Sequence, residues 1–160
     1  MSVQEFNALV AQFLAAEKTA HVRPRWQTAR HRDYAEAKML VSVPRSRLFL
    51  GMVVLTAHRV RLPPKYGFSL LFRGHRVLGL DVNPGRTHKN LLTPGSVAGS
   101  HWQHWPTMDA ELDDRDQNFA AWLRDFLRAG NIVTTFGVLS PPRGVQLGLV
   151  FDGNKGNNRR

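Results

Sequence analysis

The chain has 160 residues, enough for one ordinary domain that needs no metal or disulfide to fold. It has no cysteine, which excludes disulfides, thiolate zinc sites and a cysteine nucleophile. Twenty-two Lys and Arg stand against twelve acids for a net charge of +10, mostly from arginine, whose planar fork suits phosphate.

The expected partner is therefore a polyanion: nucleic acid, RNA before DNA, or a ribonucleoprotein complex, with a protein partner also open. No apolar run reaches the ~18 residues that a membrane span needs, so no membrane partner is expected. Residues 1–18 are apolar on one face only and carry Glu5 and Glu17, unlike a secretory signal. The reading is of a soluble, cytoplasmic protein.

Residues 2–18 predict a helix. Ser2 and Glu5 form a capping box, and Val3, Phe6, Leu9, Val10, Phe13 and Leu14 recur at helical spacing as a core-facing stripe. Residues 21–32, HVRPRWQTARHR, have two readings. One is a solvated connection. The other is a basic arm in which Arg23, Arg25, Arg30 and Arg32 hold phosphates and Trp26 stacks on a base.

Residues 34–43 alternate as a half-buried strand, and 48–62 form a long β-rich run with His58 on its polar side. Residues 66–72 and 76–82 make a hairpin about the turn Arg73-Gly74-His75.

The stretch 76–106, RVLGLDVNPGRTHKNLLTPGSVAGSHWQHWP, leaves this hairpin as a strand and continues as a long polar loop. A helix is expected over 113–130, capped by Asp113 or Asp114 and ended by Gly130, with Phe119, Trp122, Leu123, Phe126 and Leu127 on its apolar face. Acids at its start would stabilise the helix dipole. A second hairpin is expected between 131–139 and 145–151, and a disordered basic tail over 153–160. The order of elements predicts an α+β fold: a single domain over 1–152, mostly antiparallel sheet, with two helices packed on one face.

Residues 76–106 concentrate the candidate chemistry. His88, His101 and His104 lie there, with Trp102 and Trp105 interleaved. Two imidazoles can divide the work of base and acid, as metal-independent RNA cleavage requires. Arg76, Arg86 and Lys89 would hold phosphates, and Trp102 and Trp105 would stack bases. A metal held by the three imidazoles with Asp81 or Asp109 is the alternative chemistry, although His-x-x-His lacks the glutamate of a zincin helix. Packing of a lid by loop histidines and tryptophans is the plainest alternative. Asn83 and Asn90 read as turn residues. No P-loop, dinucleotide fingerprint or nucleophile elbow is present.

Four separated elements occur in order: Arg76-x-x-x-Leu80-Asp81-x-Asn83, His88-x-Asn90, Gly99-x-His101, and Phe126-Leu127-x-x-x-Asn131-Ile132. Over about a third of the chain this resembles a family of uncharacterised small bacterial and phage proteins, associated with mobile elements, toxin–antitoxin loci and defence. The resemblance implies a histidine-bearing, toxin-like RNase. The family pattern has His-x-His on one side of a strand; here Gln103 fills the second place and His104 follows one position later. In a strand, His101 and His104 would face opposite ways.

The expectation is a metal-independent endoribonuclease without a cofactor, using His88, His101 and His104. The runner-up is a non-catalytic phage or mobile-element inhibitor, such as an anti-CRISPR or other anti-defence protein. No helix-turn-helix supports a DNA-binding regulator.

Overall fold

Strict alternation over residues 34–43 sets the pattern for the whole sheet. In the computed structural model, which describes residues 1–59 and 63–142, helix α1 (Val3–Ala15) is followed by the short strands β1 (Lys18–Ala20) and β2 (Gln27–Thr28). Four long strands come next: β3 (Tyr34–Ser42), β4 (Leu50–His58), β5 (Tyr66–Phe72) and β6 (His75–Val82). A small hairpin follows, β7 (Thr87–Lys89) and β8 (Ser96–Ala98), and then β9 (His101–His104) and β10 (Ala110–Leu112). Helix α2 (Phe119–Ala129) and β11 (Ile132–Thr134) complete the order.

The main sheet runs β10-β9-β6-β5-β4-β3-β1-β11, with β2 also on β3. Every pairing is antiparallel except β1 with β11. The fold is α+β, with mostly antiparallel sheet and, among the described residues, two helices.

Alternation places Ala35, Ala37, Met39 and Val41 of β3 on one face, and beside them Val53 and Leu55 of β4 and Phe68, Leu70 and Phe72 of β5, all buried. Both helices cover this face. Phe13 of α1 stacks on Phe72 at 4.3 Å, and Phe119 and Phe126 of α2 meet Phe68 at 5.7 and 5.6 Å. From Phe6 to Leu14 the α1 stripe is therefore core, but Val3, expected in it, lies in the first turn and is exposed; the capping box is formed by Ser2 and Glu5. Its last turn leaves carbonyls without helical partners. The buried Lys18 ammonium donates to those of Phe13, Leu14 and Ala16. The β5–β6 hairpin turns on Arg73 and Gly74, both at positive φ, as a two-residue primed turn demands.

Three expectations change. Helix α2 begins at Phe119 with Asn118 as its cap, not at Asp113 or Asp114. Asp113 is already committed: it accepts from Trp102 Nε1 at 2.8 Å and from Arg115, which keeps residues 113–118 out of the helix. No acid lies in the first turn.

The polar loop after residue 82 is largely built. It holds β7, β8, β9 and β10, because Asn90 bonds both backbone groups of Ala110 and Asp109 accepts from the amides of Leu91, Leu92 and Thr93. Finally, the first half of the expected second hairpin is β11, which pairs with β1. The other half (145–151) and the tail (153–160) lie outside the described residues, as do residues 60–62 of the long run. Among the described residues no helix is long and apolar enough to cross a membrane.

Candidate active site

Neither helix lies on the opposite face of the sheet, and one row of residues crosses it. Glu36 pairs with Thr56, Thr56 with Gly67, Gly67 with Asp81 and Asp81 with His101, on strands β3, β4, β5, β6 and β9. Two glycines shape the middle of this face. A Cβ on Gly79 would collide with the Arg76 guanidinium, which therefore lies across residue 79. A Cβ on Gly67 would stand 2.7 Å from Thr56 Oγ1 and 3.5 Å from Asp81 Oδ1. Glycine inside a strand marks such close approach.

Arg76 reaches over Gly79 to Asp81 Oδ1 at 3.3 Å, and the two side chains are 30% and 26% exposed. Asp81 Oδ2 lies 3.6 Å from His101 Nε2. On its other side the His101 ring places Nδ1 2.9 Å from the Gly99 carbonyl oxygen. A carbonyl can only accept, so Nδ1 carries the hydrogen and Nε2 faces the carboxylate. His101 is completely buried.

The β7–β8 hairpin brings His88 over it, with ring centroids 5.0 Å apart. His88 is half-buried. Its pKa is held below the ordinary histidine value, first by desolvation and then by His101, with Arg86 and Arg76 acting the same way and Asp81 opposing them. Neutral imidazole is thus favoured at the group nearest solvent.

Gln103, two residues after His101 on the same face, is buried and donates to the Met108 carbonyl at 3.0 Å. Its amide nitrogen also lies 3.5 Å from His88 Nε2. Three buried polar atoms on this face have no partner among the described residues: Arg76 Nε, His101 Nε2 and Gln103 Oε1. Such atoms are uncommon in a finished core and gather where function needs them.

His88, His101, Arg76 and Asp81 therefore come together, and His104 does not join them. It lies on the other face of β9, exposed, with its ring stacked on Trp102 at 5.9 Å. The tryptophans expected to stack bases are engaged in the fold. Trp102 stacks on Phe126 and bonds Asp113. Trp105 donates to Asn7 and packs on Phe6, and Trp26 donates to the Ser140 carbonyl and packs on Phe119.

In the basic arm, Arg23 donates to the Val138 carbonyl, while Arg25, Arg30 and Arg32 are exposed. Arg86 and Lys89 are exposed as well. Asn90, expected in a turn, clamps the β7–β8 hairpin to β10 and so holds His88 in place. The metal alternative finds no ligand set: no three His, Asp or Glu among the described residues are grouped to hold an ion. Sequence reasoning missed Gly67, Gly79 and Thr56, although an in-strand glycine in RVLGLDV is a legible signal.

No protein-family model, no curated protein and no solved structure matches the chain.

Proposed function

We propose that the protein is a metal-independent endoribonuclease whose reacting group is His88. The observation that carries this reading is the contact of two imidazoles from separate elements, 5.0 Å apart, beside the Arg76–Asp81 pair. Neutral His88 takes the proton of the ribose 2′-hydroxyl. The 2′-oxygen then bonds to phosphorus and the bond to the 5′-oxygen breaks. The 5′-oxygen leaves on the side opposite the attacking oxygen and takes its proton from solvent water, since buried His101 leaves His88 as the one imidazole of the pair open to the substrate, and the Arg76 guanidinium offsets the charge on the phosphorane. His101 is buried, so it acts through His88 and Asp81 as a positioning residue. The basic arm residues Arg25, Arg30 and Arg32, with Arg86 and Lys89, supply the attraction for the polyanion.

The second reading is a non-catalytic inhibitor of a nucleic-acid or ribonucleoprotein complex. It is favoured by the complete burial of His101 and by the engagement of all three candidate tryptophans.

One experiment separates the two: labelled RNA incubated with the protein in chelator, alongside His88→Ala and His104→Ala. The nuclease reading expects cleavage in chelator, abolished by the first substitution and kept by the second. Intact RNA held in a salt-sensitive complex would instead establish the inhibitor reading.

A further inference from the structure

Beside Asp81, where β4 ends and β5 begins, the sheet carries a notch of about 170 Å³ over Gly67. Tyr34, Thr56, Lys65, Asp81, Asn83 and Arg86 border it. Its floor exists because residue 67 has no side chain: a single methyl group there would meet Thr56 and approach Asp81. Small-molecule pockets span roughly 300–1,000 Å³, so this notch takes a much smaller group.

The lining has two kinds of chemistry. Lys65 and Arg86 bring positive charge, and Thr56 and Asn83 bring neutral polar groups. Asp81 brings a carboxylate, which would repel a bare phosphate seated at the floor. A carboxylate offers about four lone-pair sites. Arg76 takes one direction from Asp81 Oδ1, while His101 Nε2 faces Oδ2 at 3.6 Å without a hydrogen bond, and the carboxylate still lines the notch. A group that is anionic at one end and a hydroxyl donor at the other satisfies both kinds of lining.

We propose that this notch is a subsite for a ribose-phosphate unit flanking the reacting one in an RNA backbone, with the phosphate on Lys65 and Arg86 and that flanking unit's 2′-hydroxyl donating to Asp81. The inference deepens the proposed function and rests on RNA as its substrate class. Recognition then reads the sugar and not the base. That agrees with a site whose candidate stacking tryptophans are all built into the fold. The 2′-hydroxyl is the feature by which a protein tells RNA from DNA.

The test measures binding apart from cleavage. In the His88→Ala background, fluorescence anisotropy compares an oligoribonucleotide with the deoxy oligonucleotide of the same sequence. RNA is expected to bind about tenfold tighter, the size of one hydrogen bond to a charged acceptor. Gly67→Ala, whose methyl intrudes on the floor of the notch between Thr56 and Asp81, is expected to bring RNA down to the DNA level, while Arg25→Ala weakens both alike. Equal affinity for RNA and DNA, no binding of either, or an RNA preference that survives Gly67→Ala in a folded variant would each overturn the subsite.

Where Gly67→Ala does not fold, competition on the otherwise unaltered chain decides. Ribose 5-phosphate should displace the RNA at lower concentration than 2-deoxyribose 5-phosphate, and equal displacement overturns the subsite. An RNA preference without cleavage by the native chain would sink the nuclease reading and keep the subsite. Cleavage without an RNA preference would do the reverse.

Discussion

The two faces of this sheet obey different rules although they share the same strands. On the helix-covered face, every second residue of β3, β4 and β5 is buried, and Phe13, Phe68, Phe72, Phe119 and Phe126 interlock through ring contacts. On the other face the central strands carry Thr56, Gly67, Gly79 and Asp81, and three buried polar atoms lack partners among the described residues. A sheet needs only one apolar face to be held together. The other is free to trade packing for chemistry, and its glycines show that trade: they give up side-chain burial so that a guanidinium and a carboxylate lie close to the backbone.

The first way to break this contrast is to open a hole on the packed side. Phe126 is completely buried against Phe68 and Trp102. Phe126→Ala should cost about 3–5 kcal/mol. Against a total of about 5–15 kcal/mol, that brings the chain near unfolding. Urea denaturation followed by circular dichroism measures it, and a loss below about 1 kcal/mol would mean that the aromatic cluster is not the core it resembles. His88→Ala inverts the pattern. This half-buried ring lies on a small hairpin, so stability should move by no more than about 1 kcal/mol. RNA cleavage should fall by about a hundredfold or more, the usual worth of a general base.

The packed face was the legible one. Its strands announce themselves by period two, α1 by its capping box and the β5–β6 turn by Gly74, because each of these signals is local. The open face depends on contacts between distant residues. Asn90 holds Ala110 and Asp109 holds Leu91 to Thr93, and with these ties a stretch that reads as a polar loop becomes four short strands. Strands of three or four residues carry too little period to be seen beforehand.

The start of α2 was lost for a similar reason. Asp113 suits a cap by residue type, but Trp102, eleven residues earlier, claims its carboxylate. The histidine cluster was partly visible: His88 and His101 meet, while alternation along β9 sends His104 to the far side. Gln103, which interrupts the histidine pattern, lands on the His101 face and touches His88. No spacing rule gives that contact, because it joins two separate strands.

A smaller effect tests the helix boundary. Asn118 Oδ1 accepts from the Ala121 amide at 2.9 Å. Asn118→Ala should lower stability by about 1 kcal/mol, while Asp114→Ala, at an exposed residue outside the helix, should change it by less than about 0.5 kcal/mol. Thermal unfolding of the two variants ranks them. The reverse order would move the cap back to the acids. Neither substitution should alter cleavage, since α2 covers the face away from His88.

The smallest effect is the most specific to the open face, because it reads only the coupling between its charged groups. His88 titrates below the ordinary histidine value, so its neutral form, the base, persists to lower pH and the acid limb of kcat/KM should lie below about pH 6.5. Asp81 opposes that depression, and Asp81→Asn should therefore move the limb to still lower pH. His101 contributes to the depression, and His101→Gln should move the limb upward. Opposite shifts from two neighbours in one row separate electrostatic coupling from simple damage, which would lower the rate at every pH. If both variants shift the limb the same way, or leave it in place, His88 does not sense the row beneath it. The 5.0 Å contact between the imidazoles would then be packing, and the two faces would differ in shape but not in purpose.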